Sequence, residues 1–179
     1  MTLEEMKAKI YKLIEEYAED EDDLTEDEDY AAKINDCINQ IQNEMARIKK
    51  IPEHTTIDVT EGQVMKFTDI ASDMYQLSTI KDVKYEVDLD MVTFLEDGTA
   101  RVFYYKYPKR ITEDTEDDAY KFEQSQDVLE IIPYGVAADM LKSDVSSQYG
   151  AVYANRYKEM LERLDPRYAT QEVYIDGGI

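Results

Sequence analysis

Pro52 divides this chain into two kinds of text. Before it, apolar residues recur every three or four positions: Leu3, Met6, Ile10, Leu13 and Tyr17, then Ile34, Ile38, Ile41, Met45 and Ile48. That spacing gathers each set on one face of a helix, since a turn takes 3.6 residues. After it, "TTIDVT" (55–60) and "GQVMKF" (62–67) are short and rich in β-branched residues, with Glu61-Gly62 as a turn between them. A chain that changes period at a proline builds helices and strands from separate segments.

The first helix is expected over about 3–18, opened by Thr2 and Glu5 at capping-box spacing. The 4-3-4-3 spacing from Ile34 to Ile48 reads as a second helix packed at a shallow angle on its partners, with Lys49 and Lys50 favourably placed at its C-terminal dipole. Between them "EDEDDLTEDED" (19–29) repels itself and has little apolar surface to offset ordering, so a solvated loop is expected there, with Thr25 and Glu28 as a second capping-box pair. Residues 1–51 therefore read as an N-terminal helical hairpin.

Residues 55–111 read as a β insertion. Its clearest signal is "VKYEVDLDMVTFLEDGTARVFYYKYP" (83–108), two alternating runs about Asp97-Gly98, a dipeptide suited to a type I′ turn. As a hairpin, this pairs Phe94 with Arg101, Val92 with Phe103 and Met91 with Tyr104. Alternation in the second run puts Phe103, Tyr105 and Tyr107 on one face and Val102, Tyr104 and Lys106 on the other, with Lys109 and Arg110 beyond Pro108. A stacking platform for nucleic acid wants its rings together on one exposed face with cations beside them, so the split favours a structural strand. "TDIASDMYQLSTI" (68–80) reads as a helical turn near 70–73 and then an extended segment.

After an acidic stretch, "TEDTEDDAY" (112–120), helical spacing returns over 125–165. Pro133 suits a first turn, and Val136, Ala137, Met140 and Leu141 form a buried stripe. Val145, Tyr149, Val152, Arg156, Met160 and Leu164 form the next, and Pro166 follows. Residues 166–179 read as a tail or one edge strand. The expected architecture is a single α+β domain over 1–179: a four-helix bundle-like core with an inserted antiparallel β-hairpin or small sheet.

Composition narrows the chemistry. Asp and Glu number 41 against 20 Lys and Arg, a net charge of −21, so free nucleic acid meets repulsion unless the cations are concentrated on one face. Cys37 and His54 are the only residues of their types, which excludes an internal disulfide and a Cys/His zinc site within one chain. The acidic run 19–29 contains no glycine, whereas a calcium-binding EF-hand loop needs one at its sixth position. Phosphate-loop, dinucleotide and hydrolase-elbow motifs are missing, so no catalytic, cofactor-binding or metal-binding residue is assigned and no enzyme is expected. Cys37 reads as a small core residue and His54 as a solvated one. The N-terminal "MTLEEMKAKI" has neither the basic nor the apolar region of a signal peptide, and no run reaches about 18 apolar residues, so a soluble cytoplasmic product is expected. The 15 tyrosines, against 4 Phe and no Trp, suit surfaces that are wet when free and covered when assembled.

The order of two N-terminal helices, a β insertion ending in "VFYYKYPKRI" (102–111), an acidic loop, "LEIIPYGVAADML" (129–141) and "YANRYKEMLERL" (153–164) resembles the head-to-tail connector proteins of tailed bacteriophages. The resemblance spans residues 75–164, and Gly135 stands where that pattern carries a bulkier residue. It implies a non-enzymatic virion structural protein, made in the bacterial host cytoplasm and sited at the head-tail junction. There it acts as an adaptor, without cofactor or membrane, whose subunits form a homo-oligomeric ring on the portal protein. The ring joins the portal to a tail or stopper protein and lets DNA pass without specific binding, and a monomer before assembly is compatible with this. The implied subunit or portal interface comprises Tyr105, Tyr107, Lys109, Arg110, Tyr153 and Tyr157, with Lys109 and Arg110 available to a neighbour's acidic loop. Two other classes compete with it: an acidic DNA mimic that occupies the site of a host DNA-binding enzyme, and a carboxylate-based metal-dependent enzyme.

Overall fold

The computed structural model describes residues 1–15, 28–142 and 148–165. In chain order the elements are α1 (Leu3–Glu15), α2 (Glu28–Ile48), β1 (Ile51–Val59), β2 (Val64–Lys66), α3 (Phe67–Ile70), β3 (Met74–Lys81), β4 (Tyr85–Asp88), β5 (Met91–Phe94), β6 (Gly98–Lys106), α4 (Gln126–Leu129), α5 (Ile132–Leu141) and α6 (Gln148–Leu164). They fall into two compact units, one of Met1–Ile41, Glu116–Tyr120 and Ser125–Ile179, the other of Gln42–Thr115 and Lys121–Gln124. The helix α2 thus supplies turns to both. The acidic run 19–29, apart from the start of α2, and the segment 166–179 lie outside the described residues, as does Val145.

In the first unit, α1 starts on the expected capping box: the Thr2 backbone N–H donates to Glu5 Oε2 at 2.9 Å and the Glu5 N–H to Thr2 Oγ1 at 3.2 Å. Leu3, Met6, Ile10 and Ile14 are fully buried on one face, as are Ile34 and Ile38 of α2. Lys7 holds the segment 116–120 beside α1 through both oxygens of Asp117, at 2.8 and 2.9 Å, while the Leu3 and Glu4 N–H groups donate to the carbonyls of Tyr120 and Asp117. Helix α5 begins with Pro133 in its first turn and packs against both α1 and α6. A Cβ built on Gly135 lies 2.8 Å from the Tyr157 ring and 3.2 Å from Ile41 Cδ1, so the absent side chain is what lets these groups approach. The α6 stripe read from spacing is corrected: Tyr153 and Leu161 are buried, whereas Tyr149 and Val152 are 45% and 56% exposed.

The expectation of a four-helix bundle-like core with an inserted hairpin is overturned. The fold is mixed α+β, with two three-stranded antiparallel sheets in the orders β1-β6-β3 and β2-β5-β4. They belong to the second unit and enclose a core of their own: Val92 and Phe94 of β5 meet Ala100, Val102 and Tyr104 of β6, with Val59, Ile70, Met74, Ile80 and Val83 around them. Each central strand has an apolar face to bury, and two facing sheets bury both without help from a helical bundle.

The predicted hairpin about Asp97-Gly98 does not form, because β5 and β6 lie in different sheets. Val92 pairs with Val87 and Met65 instead of Phe103, Phe94 pairs with Tyr85, and the full length of β6 pairs with β1 from Ile51↔Lys106 to Val59↔Gly98. Asp97 lacks the positive φ that a type I′ turn needs, and its side chain accepts the Glu61 N–H at 2.7 Å. Gly98 packs against Val83, whose Cγ1 lies 3.0 Å from where a Cβ would sit. The two-residue connection is Leu89-Asp90, between β4 and β5. Glu61-Gly62 forms the expected turn between β1 and β2, which lie in different sheets, and β1 starts at Ile51, so Pro52 sits inside an edge strand, where its missing N–H is tolerated.

Gly135→Ala is expected to lower stability by about 1–3 kcal/mol through overpacking. In a Tyr157→Ala background the same change costs less, a non-additivity that a double-mutant cycle of denaturant melts reads directly.

Candidate functional site

Alternation along β6 sends Ala100, Val102 and Tyr104 into the core and leaves Phe103 and Tyr105, with Tyr107 just beyond, half-buried on the opposite face. Each of those three rings carries a cation. Lys81 Nζ, at the end of β3, lies 4.9 Å from the Phe103 centroid, Lys50 Nζ lies 4.6 Å from Tyr105, and the Arg47 guanidinium carbon lies 5.6 Å from Tyr107. The attraction is between positive charge and the negative face of the ring quadrupole. His54, opposite Phe103 in the β1–β6 register, stacks on it at 5.8 Å with planes 21° apart. Tyr75 leans on Tyr107 at 4.8 Å and donates its hydroxyl to the Ala46 carbonyl at 2.8 Å.

Hydrogen bonding adds direction to this row. Arg47 donates to the Tyr107 hydroxyl at 2.7 Å, which together with the charge of that phenol raises the guanidinium's pKa further. Burial pushes the Tyr75 phenol up, the neighbouring Tyr107 and Tyr105 add to the shift, and Arg47 opposes it. Among the described residues, none of Arg47, Lys50 and Lys81 forms an ion pair with a carboxylate. The remaining cations of the strand are neutralised. Arg101 is held by both oxygens of Asp82. Lys106, only 13% exposed, bridges Glu53 at 3.3 Å and Glu123 at 2.6 Å. Burial alone lowers the Lys106 pKa, and the bonds and charges of Glu123 and Glu53 outweigh it, so the amine stays charged.

Of the residues expected at an interface, Tyr105 and Tyr107 belong to this row. Lys109 and Arg110 are exposed beyond the strand, the Lys109 backbone N–H donating to Glu123 and its carbonyl accepting from Gln42. Tyr153 and Tyr157 lie in the other unit as packing groups. Tyr153 is buried and donates to the Leu13 carbonyl at 2.7 Å, while Tyr157 lies against Gly135. The row's cations escape a reading of the sequence because Arg47 and Lys50 come from the end of α2 and its exit, and Lys81 from β3. Only the β1–β6 register brings the residues preceding Ile51 beside the exit of β6.

Chemistry elsewhere is sparse. No group of three or more His, Cys, Asp or Glu positioned to hold a metal occurs among the described residues. The half-buried Cys37 thiol is pushed up by burial and by Asp139 and Asp36, against the opposing pull of Lys33, which disfavours the nucleophilic thiolate. No helix among the described residues is long and apolar enough to cross a membrane. No protein-family model and no curated protein matches the chain.

Two phenols, one beside the row and one in the core, make a prediction for alkaline solution. Tyr75 and Tyr104 both have folded-state pKa values above the roughly 10 of a free phenol, burial being the first cause for each. Their contribution to stability is therefore complete below about pH 10 and is lost as pH rises through the folded values. Absorbance titration at the phenolate band should show late-ionising tyrosines, one of which disappears in Tyr75→Phe. Loss of an early-ionising phenol instead of a late one in Tyr75→Phe refutes the assignment.

Proposed function

We propose that this chain is a non-enzymatic structural protein of a tailed phage or prophage, a ring-forming adaptor that joins portal to tail and lets DNA pass. The observation that carries the assembly role is the row of Phe103, Tyr105 and Tyr107 under Lys81, Lys50 and Arg47. Half-buried tyrosines with unpaired cations are what a protein interface covers, since ring area supplies apolar contact and the cations select an acidic partner. A chain of net charge −21 offers such a partner in its own copies. The same row fits a single-stranded nucleic-acid platform poorly, because cations already occupy the ring faces on which bases would stack.

The head-tail setting rests on the order of motifs in the sequence, above all "VFYYKYPKRI" followed by "LEIIPYGVAADML". In that setting the acidic surplus lets the phosphate backbone travel past without capture. Mixed with a portal protein from the same phage or prophage and imaged, the protein is expected to decorate the portal as a ring. The double charge reversal Lys50→Glu/Lys81→Glu is expected to weaken that decoration at least tenfold in concentration. Portals that stay bare at saturating protein, or micromolar binding of duplex DNA at physiological salt, would falsify the adaptor reading.

A further inference from the structure

The turn Leu89-Asp90 presents the most exposed large apolar side chain among the described residues: Leu89 is 89% accessible, against 38% for Met91 after it. Leu89 also holds φ at +54°, a left-handed conformation that glycine or asparagine adopts with far less steric conflict. Local folding explains neither the choice of leucine nor its exposure, and such outliers recur where function requires them. Asp88 and Asp90 flank it, both exposed and without an ion pair among the described residues. The hairpin β4–β5 therefore ends in an apolar knob between two carboxylates.

The helical unit contains a cavity of about 550 Å³ with the complementary character. Its apolar wall is formed by Leu13, Tyr134 and Met160, and its basic rim by Lys9, Lys12 and Arg156, with Glu130 the one carboxylate in the lining. Lys9 and Lys12 have no carboxylate partner among the described residues, and Arg156 has only its exposed helix neighbour Glu159, at 3.4 Å. Three cations against one acid is a local reversal in a chain where acids outnumber bases two to one. The volume is within the range of sites that seat a ligand group, and an apolar centre within a charged rim is how interface anchors are commonly held.

We infer that the knob of one copy seats in the cavity of a second copy, Leu89 against Leu13, Tyr134 and Met160, with Asp88 and Asp90 facing Lys9, Lys12 and Arg156. The two surfaces differ, so the contact is heterologous: every copy gives a knob and accepts one, and a set of copies is complete only when the chain of contacts closes. This deepens the ring reading and rests on it for its setting, while the contact itself is testable without a portal.

Sedimentation of three proteins decides it: the unaltered chain, Leu89→Asn, which suits the left-handed turn but removes the anchor, and Lys9→Glu/Lys12→Glu, which reverses the rim. All changed positions are exposed, and thermal melts close to that of the unaltered chain establish that the variants fold. The unaltered chain is expected to associate with rising concentration, less so in high salt, and each variant alone to remain monomeric. An equimolar mixture of the two variants should yield particles of dimer mass and none larger, because one good knob and one good cavity remain between them. An unaltered chain that stays monomeric, a variant that associates like it, or a mixture that stays monomeric overturns the contact. On the portal the two ideas separate: decoration undiminished by Leu89→Asn defeats the contact alone, and bare portals with intact self-association defeat the adaptor alone.

Discussion

The second unit depends on one strand having two different faces. Ala100, Val102 and Tyr104 of β6 project into the space shared with Val92 and Phe94, and removing them from water is the main favourable term for both sheets. Because side chains alternate, the same commitment forces Arg101, Phe103 and Tyr105 outward. A one-residue slip against β1 would bury the basic, ring-bearing face and expose the core, so the nine-residue register of β1 is fixed by burial. The ring row is thus a by-product of the core, placed by hydrophobic force and then decorated with cations from other elements. Tyr104 joins the two roles, its ring buried and its hydroxyl reaching Asp73 at 3.2 Å.

Local signals in the sequence were legible where the physics is local. The Thr2–Glu5 box, the buried series Leu3, Met6, Ile10, the place of Pro133 and the inside-outside division of β6 all depend on neighbours within four residues. What failed depends on partners far away. Alternation announces a strand but not which strand it joins, so β5 and β6 looked like a hairpin although the chain crosses between sheets at Asp97. In α6 the apolar residues admit two stripes, and close packing near Gly135 chooses the one through Tyr153 and Tyr157, leaving Val152 in water. Of the candidate site, two tyrosines were visible in the sequence, while the cations over the rings were not, since Lys81 and Lys50 stand more than twenty residues from the rings they cover.

Charge in this protein is sorted more than balanced. Lys7, Arg101 and Lys106 are each held by specific carboxylates within the fold, and these pairs keep segments in place. Lys9, Lys12, Lys50 and Lys81 have no such partner among the described residues and lie beside apolar or aromatic surface instead. Exposed pairs contribute little to stability, so unpaired cations in an acidic chain cost the fold little and retain their full charge for an incoming acid. Were copies to associate as proposed, a few positive places on a repelling background would steer them, favouring correct docking over random contact.

The edges of the sheets carry a further consequence. Among the described residues β1 and β3 flank β6 and have one side each without a strand neighbour, the kind of backbone row that recruits foreign strands. Pro52 removes a donor from β1, Glu53 and Asp58 put charge along it, and β3 is broken by two register shifts, between Met74 and Gln76 and between Leu77 and Thr79. Neither edge is a straight template for amyloid-like growth. Along these two edges, backbone pairing with another strand is therefore disfavoured, whereas contact through side chains is not.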